Sequence, residues 1–364
     1  MTPPRPSHHL PPRRAARATA RFALAAMLAA CSGGRTWTEA PPRLADTGLY
    51  ADAATRTVAV DAIPFEPQYP LWTDGAAKRR WISLPPGTAV DARDVDDWQF
   101  PVGTRLWKQF TFATGVETRF LARRADGSWL YASYVRTPDG RDDVLAPATG
   151  VRQFCATANG RSHDVPSHAD CRLCHENGRS PVLGFSALQL SGDRDPLAPN
   201  AVPPAAGALD LAGFVARGLV QNLPAAHRAT PPRIAARTPT ERAALGYLHG
   251  NCASCHNASG PLERLGLRLD YPLAAGGTAP AIASTLGVAS RFTRGGATQR
   301  VAAGDPEHSV LFARVTADDP VTQMPPFGRH LVDATATNLI ARWIREDLAA
   351  TGPSPSQPLS SRQD

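Results

Sequence analysis

The sequence of 364 residues contains very little lysine and methionine. Lysine occurs only at Lys78 and Lys108, so arginine carries almost all of the positive charge. Methionine occurs only at Met1, Met27 and Met324. A site in the C-terminal part of the chain that requires a thioether can therefore use only the side chain of Met324.

Acidic residues are missing from residues 1–30, which contain five arginines. The formal net charge of the whole chain is +7, so only +2 remains for the part that follows. Binding of nucleic acid requires a basic patch on the folded part, and this balance argues against a nucleic-acid partner. The apolar fraction of 43% is ample for packed cores, and the length allows about two or three domains of ordinary size.

Long apolar runs are missing as well. The run at residues 22–30 is too short to span a bilayer. An arginine-rich segment precedes it, so residues 1–30 are typical of an export signal. The run ends in Leu28-Ala29-Ala30-Cys31, which resembles the cleavage box of bacterial lipoproteins. The resemblance implies cleavage before Cys31, lipidation of its thiol and anchoring on the periplasmic side of the cell envelope, with the outer membrane favoured. An ordinary secretory signal with an incidental cysteine is the alternative.

Four of the six cysteines form two copies of the pattern CxxCH, one starting at Cys171 and the other at Cys252. Two thiols three positions apart can each form a thioether with a vinyl group of haem. The histidine that follows is then held under the iron as its proximal ligand. The sequence therefore predicts two covalently bound haem c groups. The attachment residues are Cys171 and Cys174 for haem one and Cys252 and Cys255 for haem two.

A zinc site is the main alternative for paired cysteines. A zinc module with four cysteines usually separates its two pairs by about 15–20 residues, whereas Cys174 and Cys252 are much farther apart in the sequence. A histidine directly after each pair also favours haem. Cys155 is left without a role once Cys31 is assigned to lipid. A small buried residue is the preferred interpretation, and a haem ligand or an intermolecular disulfide stays open.

Residues 31–55 are polar and predict a tether between the lipid anchor and the folded part. Residues 56–150 alternate with a period of two between Gly/Pro-rich breaks, which predicts an antiparallel, sandwich-like β-rich domain. Within this domain Asp126-Gly127 is a strong hairpin signal. The stretch 104–112 places Leu106, Lys108 and Phe110 on one face of a strand. We assign no catalytic residue in this domain.

The residues beyond 150 follow helical patterns instead, for example at 209–223. The second CxxCH is preceded by a predicted helix and followed by a loop with Met324 and a terminal amphipathic helix, which resembles the plan of a small class I cytochrome c domain. The predicted fold is therefore multidomain, with two mainly α-helical, cytochrome c-like haem domains after the β-rich domain. Their predicted bounds are 151–235 and 236–350, and a disordered tail follows at 351–364.

The iron ligands follow from the motifs and from the scarcity of methionine. His175 and His256 are the predicted proximal ligands. Met324 is the predicted distal ligand of haem two, whose reduction potential a thioether raises. The distal ligand of haem one stays open between a histidine, Cys155, water and no ligand, with His227 as the first choice. The remaining histidines receive these interpretations: ligand or surface at His163 and His168, hydrogen bonding near haem two at His249, and surface at His308 and His330.

Longer strings throughout the chain resemble a family of bacterial dihaem c-type cytochrome lipoproteins. The similarity covers most of the chain beyond about residue 60. It implies a protein that passes electrons, in some relatives beside a quinoprotein-type dehydrogenase. The similar strings are residues 69–80, 100–104, 117–121, 165–167, 182–185, 247–252, 304–311 and 324–326.

Electron transfer between redox partner proteins is the preferred hypothesis for function, with a lipid-anchored dihaem cytochrome as the carrier rather than an enzyme. A dihaem peroxidase is the rival, because a haem one without methionine could keep an open distal position. The short spacing of the two motifs leaves little room for a large peroxidase domain around each haem. A cytochrome subunit of a quinoprotein-type dehydrogenase differs from the first hypothesis only in its partner.

Overall fold

The computed structural model describes Met1 and residues 37–274 and 279–349. Most of the predicted export signal, Cys31 and the predicted tail at 351–364 lie outside the described residues.

The strands are β1 (Tyr50–Asp52), β2 (Thr57–Val58), β3 (Ile63–Pro64), β4 (Ala77–Ser83), β5 (Val90–Asp91), β6 (Arg105–Thr111), β7 (Val116–Arg123), β8 (Trp129–Arg136), β9 (Asp143–Leu145), β10 (Val151–Ala156), β11 (Ser162–Val165), β12 (Val220–Gln221), β13 (Ala289–Arg294) and β14 (Ala297–Gln299).

The helices lie almost entirely in the second half of the chain. They are α1 (His168–His175), α2 (Leu211–Ala216), α3 (Ala225–Ala229), α4 (Pro239–Cys252), α5 (Pro280–Thr285), α6 (Val310–Thr316) and α7 (Ala334–Arg342). Short 3-10 turns occur at Leu44–Thr47 and Glu263–Leu265, and a π-helical turn at Trp343–Asp347 continues α7. None of the helices in the described ranges is long and apolar enough to cross a membrane.

A six-stranded antiparallel sheet with the order β3-β4-β6-β7-β8-β9 forms the N-terminal part. Trp81 lies opposite Trp107, which in turn lies opposite Phe120. Residues directly opposite each other in neighbouring strands point to the same face of the sheet, so these three aromatic side chains share one face. The connection between β7 and β8 turns at Gly127, whose φ of 81° is in the left-handed region. The hairpin is therefore formed where the sequence predicted it.

The aromatic face of the sheet is covered by residues from the segment predicted as a tether. Leu44 and Leu49 are completely buried in the core that contains Trp107 and Phe120. The hydroxyl of Tyr134 in β8 donates a hydrogen bond to the carbonyl oxygen of Pro41 at 2.9 Å. Residues 37–50 therefore pack against the sheet, whereas residues 51–55 are exposed.

The opposite face of the sheet packs against residues that follow the first CxxCH motif. Ile82 and Leu106 share a core with Phe185 and Phe214, whose rings contact each other edge to face at 5.1 Å. One hydrophobic core therefore continues from the sheet into residues 182–223. This continuity joins the N-terminal part to the region predicted as a separate haem domain.

A second core surrounds α4 and α7 in the C-terminal part. Helix α4 begins after Thr238, whose hydroxyl accepts a hydrogen bond from the backbone N–H of Glu241 at 3.0 Å. Leu248 of α4 packs in one cluster with Ile340 and Trp343. Tyr69 from the N-terminal part belongs to the same cluster, so this core too crosses the predicted domain boundaries.

The prediction of two mainly α-helical haem domains is wrong. Six of the seven α-helices in the described part are short, with nine residues or fewer. The antiparallel hairpin β13–β14 lies inside the second predicted domain. One physical reason is the proline-rich segment 196–204, which limits helix length. The other is that apolar residues predicted to form a helical core pack against the second face of the sheet. The antiparallel β-rich N-terminal part agrees with the prediction.

Candidate haem-attachment sites

The first CxxCH motif lies on α1, whose start is fixed by a capping box. The hydroxyl of Ser167 accepts a hydrogen bond from the backbone N–H of Asp170 at 3.1 Å, and the Asp170 carboxylate accepts one from the Ser167 N–H at 2.9 Å. Cys171 and Cys174 are three positions apart on this helix, so their thiols share one face. His175 is the last residue of α1.

The ring of His175 has one nitrogen committed to the backbone and one available. Its Nδ1 lies 2.6 Å from the carbonyl oxygen of Pro181, so Nδ1 carries the hydrogen and donates it. Histidines that bind metals commonly make this second hydrogen bond, because it fixes the ring and leaves Nε2 as the ligand. Burial, together with the positive charges of Lys108 and Arg119, lowers the pKa of His175 to about 4. The ring is therefore neutral at pH 7, the form that binds a metal ion.

The second CxxCH motif begins at the C-terminal end of α4. Cys252 is the last residue of the helix, and its carbonyl oxygen accepts hydrogen bonds from the backbone N–H groups of Cys255 at 3.2 Å and His256 at 2.9 Å. The side chain of His256 is buried, and its Nδ1 has no hydrogen-bond partner among the described residues. A buried polar atom without a partner requires an explanation. Ligation of an iron through Nε2 would not remove this need, because Nδ1 would still carry a hydrogen without an acceptor among the described residues.

The two motifs lie against each other, although they are far apart in the sequence. The side-chain amide of Asn257 donates a hydrogen bond to the carbonyl oxygen of Asn177 at 3.2 Å. A methyl group at Gly260 would lie only 2.6 Å from the same carbonyl oxygen. Glycine at position 260 therefore allows the residues after the second motif to approach those after the first.

Met324 is connected to the second motif through α6. Its backbone N–H donates a hydrogen bond to the carbonyl oxygen of Arg314 at 2.9 Å. Burial lowers the pKa of His256, and the charges of Arg314 and Arg300 lower it further. The half-buried Met324 and the ring of His256 therefore both lie near Arg314. The peptide bond between Met324 and Pro325 is cis.

His163 has no free ring nitrogen. It is 1% exposed, and its ring lies between two carboxylates, with Nδ1 3.3 Å from Asp74 and Nε2 2.9 Å from Glu117. Burial alone lowers the pKa of His163, but the hydrogen bonds to the two carboxylates outweigh it and raise the pKa. This ring is therefore a cation held by carboxylates, and it could ligate iron only after losing a partner.

The carboxylates around His163 belong to a larger buried network. Burial tends to raise the pKa of Glu117, but Arg119, at 2.6 Å, and His163 lower it to about 2. Asp74 also accepts hydrogen bonds from the backbone N–H groups of His330 at 2.6 Å and Leu331 at 2.9 Å. Sequence reasoning missed this network. The one local signal was Glu117 and Arg119 on the same face of a strand.

The other histidines have contacts of different kinds. Nδ1 of His249 accepts a hydrogen bond from the backbone N–H of Tyr271 at 3.1 Å. His227 lies in α3, a helix of five residues with none fully buried, and its ring makes no hydrogen bond to the described residues. His227 thus stays a prediction as the distal ligand of haem one. His308 and His330 form ion pairs with Asp305 and Asp164 at the surface, and half-buried His168 begins α1.

The described ranges contain no group of three or more His, Cys, Asp or Glu side chains that could hold a metal ion. A structural zinc site requires four such ligands, whereas a haem iron takes only one or two ligands from the protein. Each motif instead brings together two cysteines and one histidine, the set of residues that covalent haem attachment requires. Cys155 is buried beside Phe110 and Phe112, and burial raises its pKa to about 11, as expected for a small core residue.

Comparisons with protein-family models, with curated proteins and with solved structures found no match for this chain.

Proposed function

We propose that this protein is a dihaem c-type cytochrome that transfers electrons between redox partner proteins. The observation that carries the proposal is the direct packing of the two CxxCH segments against each other, through Asn257 and Asn177. Two redox groups attached to touching segments can exchange electrons within one chain. The free Nε2 of His175 supports haem at the first position, and the two thiols and the histidine of the second motif support haem at the second position.

Each haem would be held by two thiols and one histidine. Cys171, Cys174 and His175 would hold haem one, and Cys252, Cys255 and His256 would hold haem two, with Met324 as its distal ligand. Haem c supplies reversible one-electron oxidation and reduction at its iron. The carbonyl of Pro181 orients the ring of His175, and the ring of Tyr131, 5.3 Å away from it, shields that histidine from water.

The same proposal includes membership of the dihaem lipoprotein family that the sequence resembles. The lipid would be attached to Cys31, and the protein would face the periplasm, with the outer membrane as its site. The distal ligand of haem one would be His227. The electron donor and acceptor would be proteins, because the chain carries its own redox groups and we assign it no catalytic residue.

The proposal is tested by a reductive titration of the full-length protein, produced in a host with c-type haem maturation. We expect two separate one-electron steps per chain and full reoxidation without loss of haem. We also expect that the oxidised protein turns over hydrogen peroxide no faster than a non-enzymatic cytochrome does. Rapid peroxide turnover, together with cyanide binding at one haem, would contradict electron transfer alone and favour the peroxidase.

A further inference from the structure

Both lysines of the chain lie on the same face of the central sheet. Lys78 in β4 lies opposite Phe110 of β6. Lys108 in β6 lies opposite Arg80 on one side and Arg119 on the other. Residues opposite each other in neighbouring strands, and residues two apart in one strand, share a face. Lys108 is therefore the middle member of a row of three cations across β4, β6 and β7.

This row of cations faces the first CxxCH motif. The adjacent row of the same face ends at Tyr131, which lies opposite Leu121, and the ring of Tyr131 contacts the ring of His175 at 5.3 Å. Neighbouring rows on one face are only about 7 Å apart along a strand. Lys108 therefore lies one row, and Lys78 two rows, from the row that ends at the contact with His175.

Both arginines of the row have carboxylate partners. Arg80 pairs with Glu66, and both side chains are buried. Arg119 pairs with Glu117 at 2.6 Å. The ring of His163 contacts the carboxylates of both Asp74 and Glu117, which balance its charge. The carboxylates of Glu66 and Glu117 therefore act on the two lysines only from a distance, because each is already paired with an arginine.

The two lysines form no ion pair with any residue of 37–274 or 279–349. Lys78 donates a hydrogen bond to the carbonyl oxygen of Ala76 at 3.3 Å, and the ammonium group of Lys108 lies 4.9 Å from the ring of Phe110. Asp333 acts on Lys78 from a distance, but its carboxylate caps α7 and accepts a hydrogen bond from Asn200. Two positive charges therefore lack a counter-charge in a partly buried place, where a lone cation is costly.

We infer that Lys78 and Lys108 bind the two propionate carboxylates of the haem attached through Cys171 and Cys174. The inference rests on the proposed function, because a haem at that position supplies the carboxylates. Haem carries two propionates, and the number of unpaired lysines matches it. Burial lowers the pKa of Lys78 to about 8 and lowers that of Lys108 as well, and contact with an anion would keep both lysines charged.

The test uses full-length protein with both haems attached and compares three kinds of variant. Lys78→Met and Lys108→Met, alone and together, remove the charge and keep a side chain of similar length. Lys108→Arg keeps the charge. Arg79→Met is the matched control, because Arg79 lies on the opposite face of β4 and is exposed. The readouts are the reduction potential of each haem and the propionate bending vibrations in the resonance Raman spectrum.

We expect the lysine-to-methionine variants to keep two haems and to lower the potential of one of them, because loss of a nearby cation favours the oxidised, more positive iron. The affected haem should be the one without a methionine ligand, and its propionate vibrations should shift. The effect should be larger in the double variant than in either single variant. Lys108→Arg and Arg79→Met should leave both readouts close to those of the native protein.

Several results would overturn this inference. One is a double variant that behaves like Arg79→Met, and another is a shift confined to the methionine-ligated haem. A Lys108→Arg variant whose haem one newly binds carbon monoxide would show that Lys108 is an iron ligand instead. A native protein that lacks haem one by intact mass would overturn the proposed function itself, so the two failures are distinguishable. If the double variant does not fold, Lys78→Met alone decides by the same criteria.

Discussion

At the scale of single residues, a histidine can serve as an iron ligand only if one ring nitrogen is free of strong partners. His175 meets this condition, since only its Nδ1 is bound, by the carbonyl of Pro181. His163 does not, because Asp74 and Glu117 occupy both nitrogens. The two residues lie close in the sequence, yet their contacts assign them different roles. His163 is a structural cation, and His175 is the ligand candidate.

Replacing His163 should weaken the fold most strongly in weakly acidic solution. We expect His163→Gln to lower the free energy of unfolding by about 3 kcal/mol at pH 6, because it leaves Asp74 buried without its cation and leaves Glu117 with Arg119 alone. The folded-state pKa of His163 is above the ordinary value of 6.5, so its contribution is complete below that pH and is lost as the pH rises through the folded pKa. Denaturant unfolding at several pH values measures this difference.

The low pKa of Glu117 gives the opposite dependence on the acid side. Its contribution to stability is present above the ordinary pKa of 4.5 and is lost as the pH falls towards about 2.

The matched control for His163→Gln is His308→Gln, since His308 is exposed beside Asp305 and should contribute at most about 0.5 kcal/mol. A loss of stability in His163→Gln that is the same at pH 6 and at pH 9 would contradict this assignment.

Met324 is the only methionine of the sequence after residue 27, so its replacement has a specific spectroscopic result. We expect Met324→His to abolish the weak sulfur-to-iron absorption band of the oxidised protein and to lower one reduction potential, because thioether ligation raises it. Both haems should stay attached. A band that persists in the variant would show that another sulfur is the ligand, and Cys155 would be the candidate.

At the scale of elements, α4 carries the second motif and is fixed by its close approach to the segment around Tyr69. A methyl group at Gly246 would overlap the ring of Tyr69, and one at Gly250 would lie 2.4 Å from the Tyr69 carbonyl oxygen. The side-chain oxygen of Asn251 accepts a hydrogen bond from the N–H of Trp72 at 2.6 Å. Two glycines and one asparagine therefore hold the helix, and with it Cys252, against the N-terminal part.

Gly250→Ala should destabilise the protein. A glycine-to-alanine change in a helix ordinarily gains up to about 1 kcal/mol. Here the added methyl meets a backbone oxygen that cannot rotate away, so we expect a loss of about 2 kcal/mol. Gly178→Ala is the control, because its methyl would lie 3.7 Å from the nearest atom, the carbonyl oxygen of Ser254, which is an ordinary contact. Denaturant midpoints measure both, and a more stable Gly250→Ala would contradict the close packing of α4.

The elements that could be predicted are those whose signals are local. The β7–β8 hairpin follows from alternation on both sides of Asp126-Gly127, and the start of α4 follows from the capping residue Thr238. The contact between Asn257 and Asn177 could not be predicted, because it depends on how distant segments fold together. The helical spacing at 209–223 was partly right, since α2 covers Leu211–Ala216, but β12 follows at Val220–Gln221 and the apolar residues of this stretch pack in one core with the sheet.

The same limit applies to the candidate site. The CxxCH patterns identify the attachment residues directly, because that chemistry requires a fixed local spacing. The row of Arg80, Lys108 and Arg119 exists only through strand register, which a single strand's pattern does not give. The alternation of 104–112 placed Lys108 beside Phe110 correctly but gave no information about its neighbours across the sheet.

At the scale of the whole molecule, the hydrophobic cores do not follow the predicted domain bounds. Phe185 shares a core with the sheet, and Tyr69 shares one with α4 and α7. A chain built in this way positions both motifs by long-range packing. Substitutions in the N-terminal sheet can therefore change the surroundings of a haem motif, as proposed above for the two lysines and the first motif.

The proposed lipid anchor depends on Cys31, a residue outside the described ranges. We expect Cys31→Ser to prevent lipidation and to move the protein from the membrane fraction to the soluble periplasmic fraction, without loss of haem. Cell fractionation followed by immunoblotting measures the distribution. The control is Cys155→Ser, which leaves the lipidation box intact. A Cys31→Ser protein that still sediments with membranes would contradict the lipid anchor.

The central claim is that each CxxCH motif attaches one haem covalently. The most direct test denatures the mature protein from a maturation-competent host and measures its intact mass and its pyridine haemochrome. We predict two haems per chain that survive denaturation. Replacement of Cys171 and Cys174 by alanine should leave one haem, and so should replacement of Cys252 and Cys255. A denatured native chain without covalent haem, or one that had instead released a zinc ion, would contradict the account.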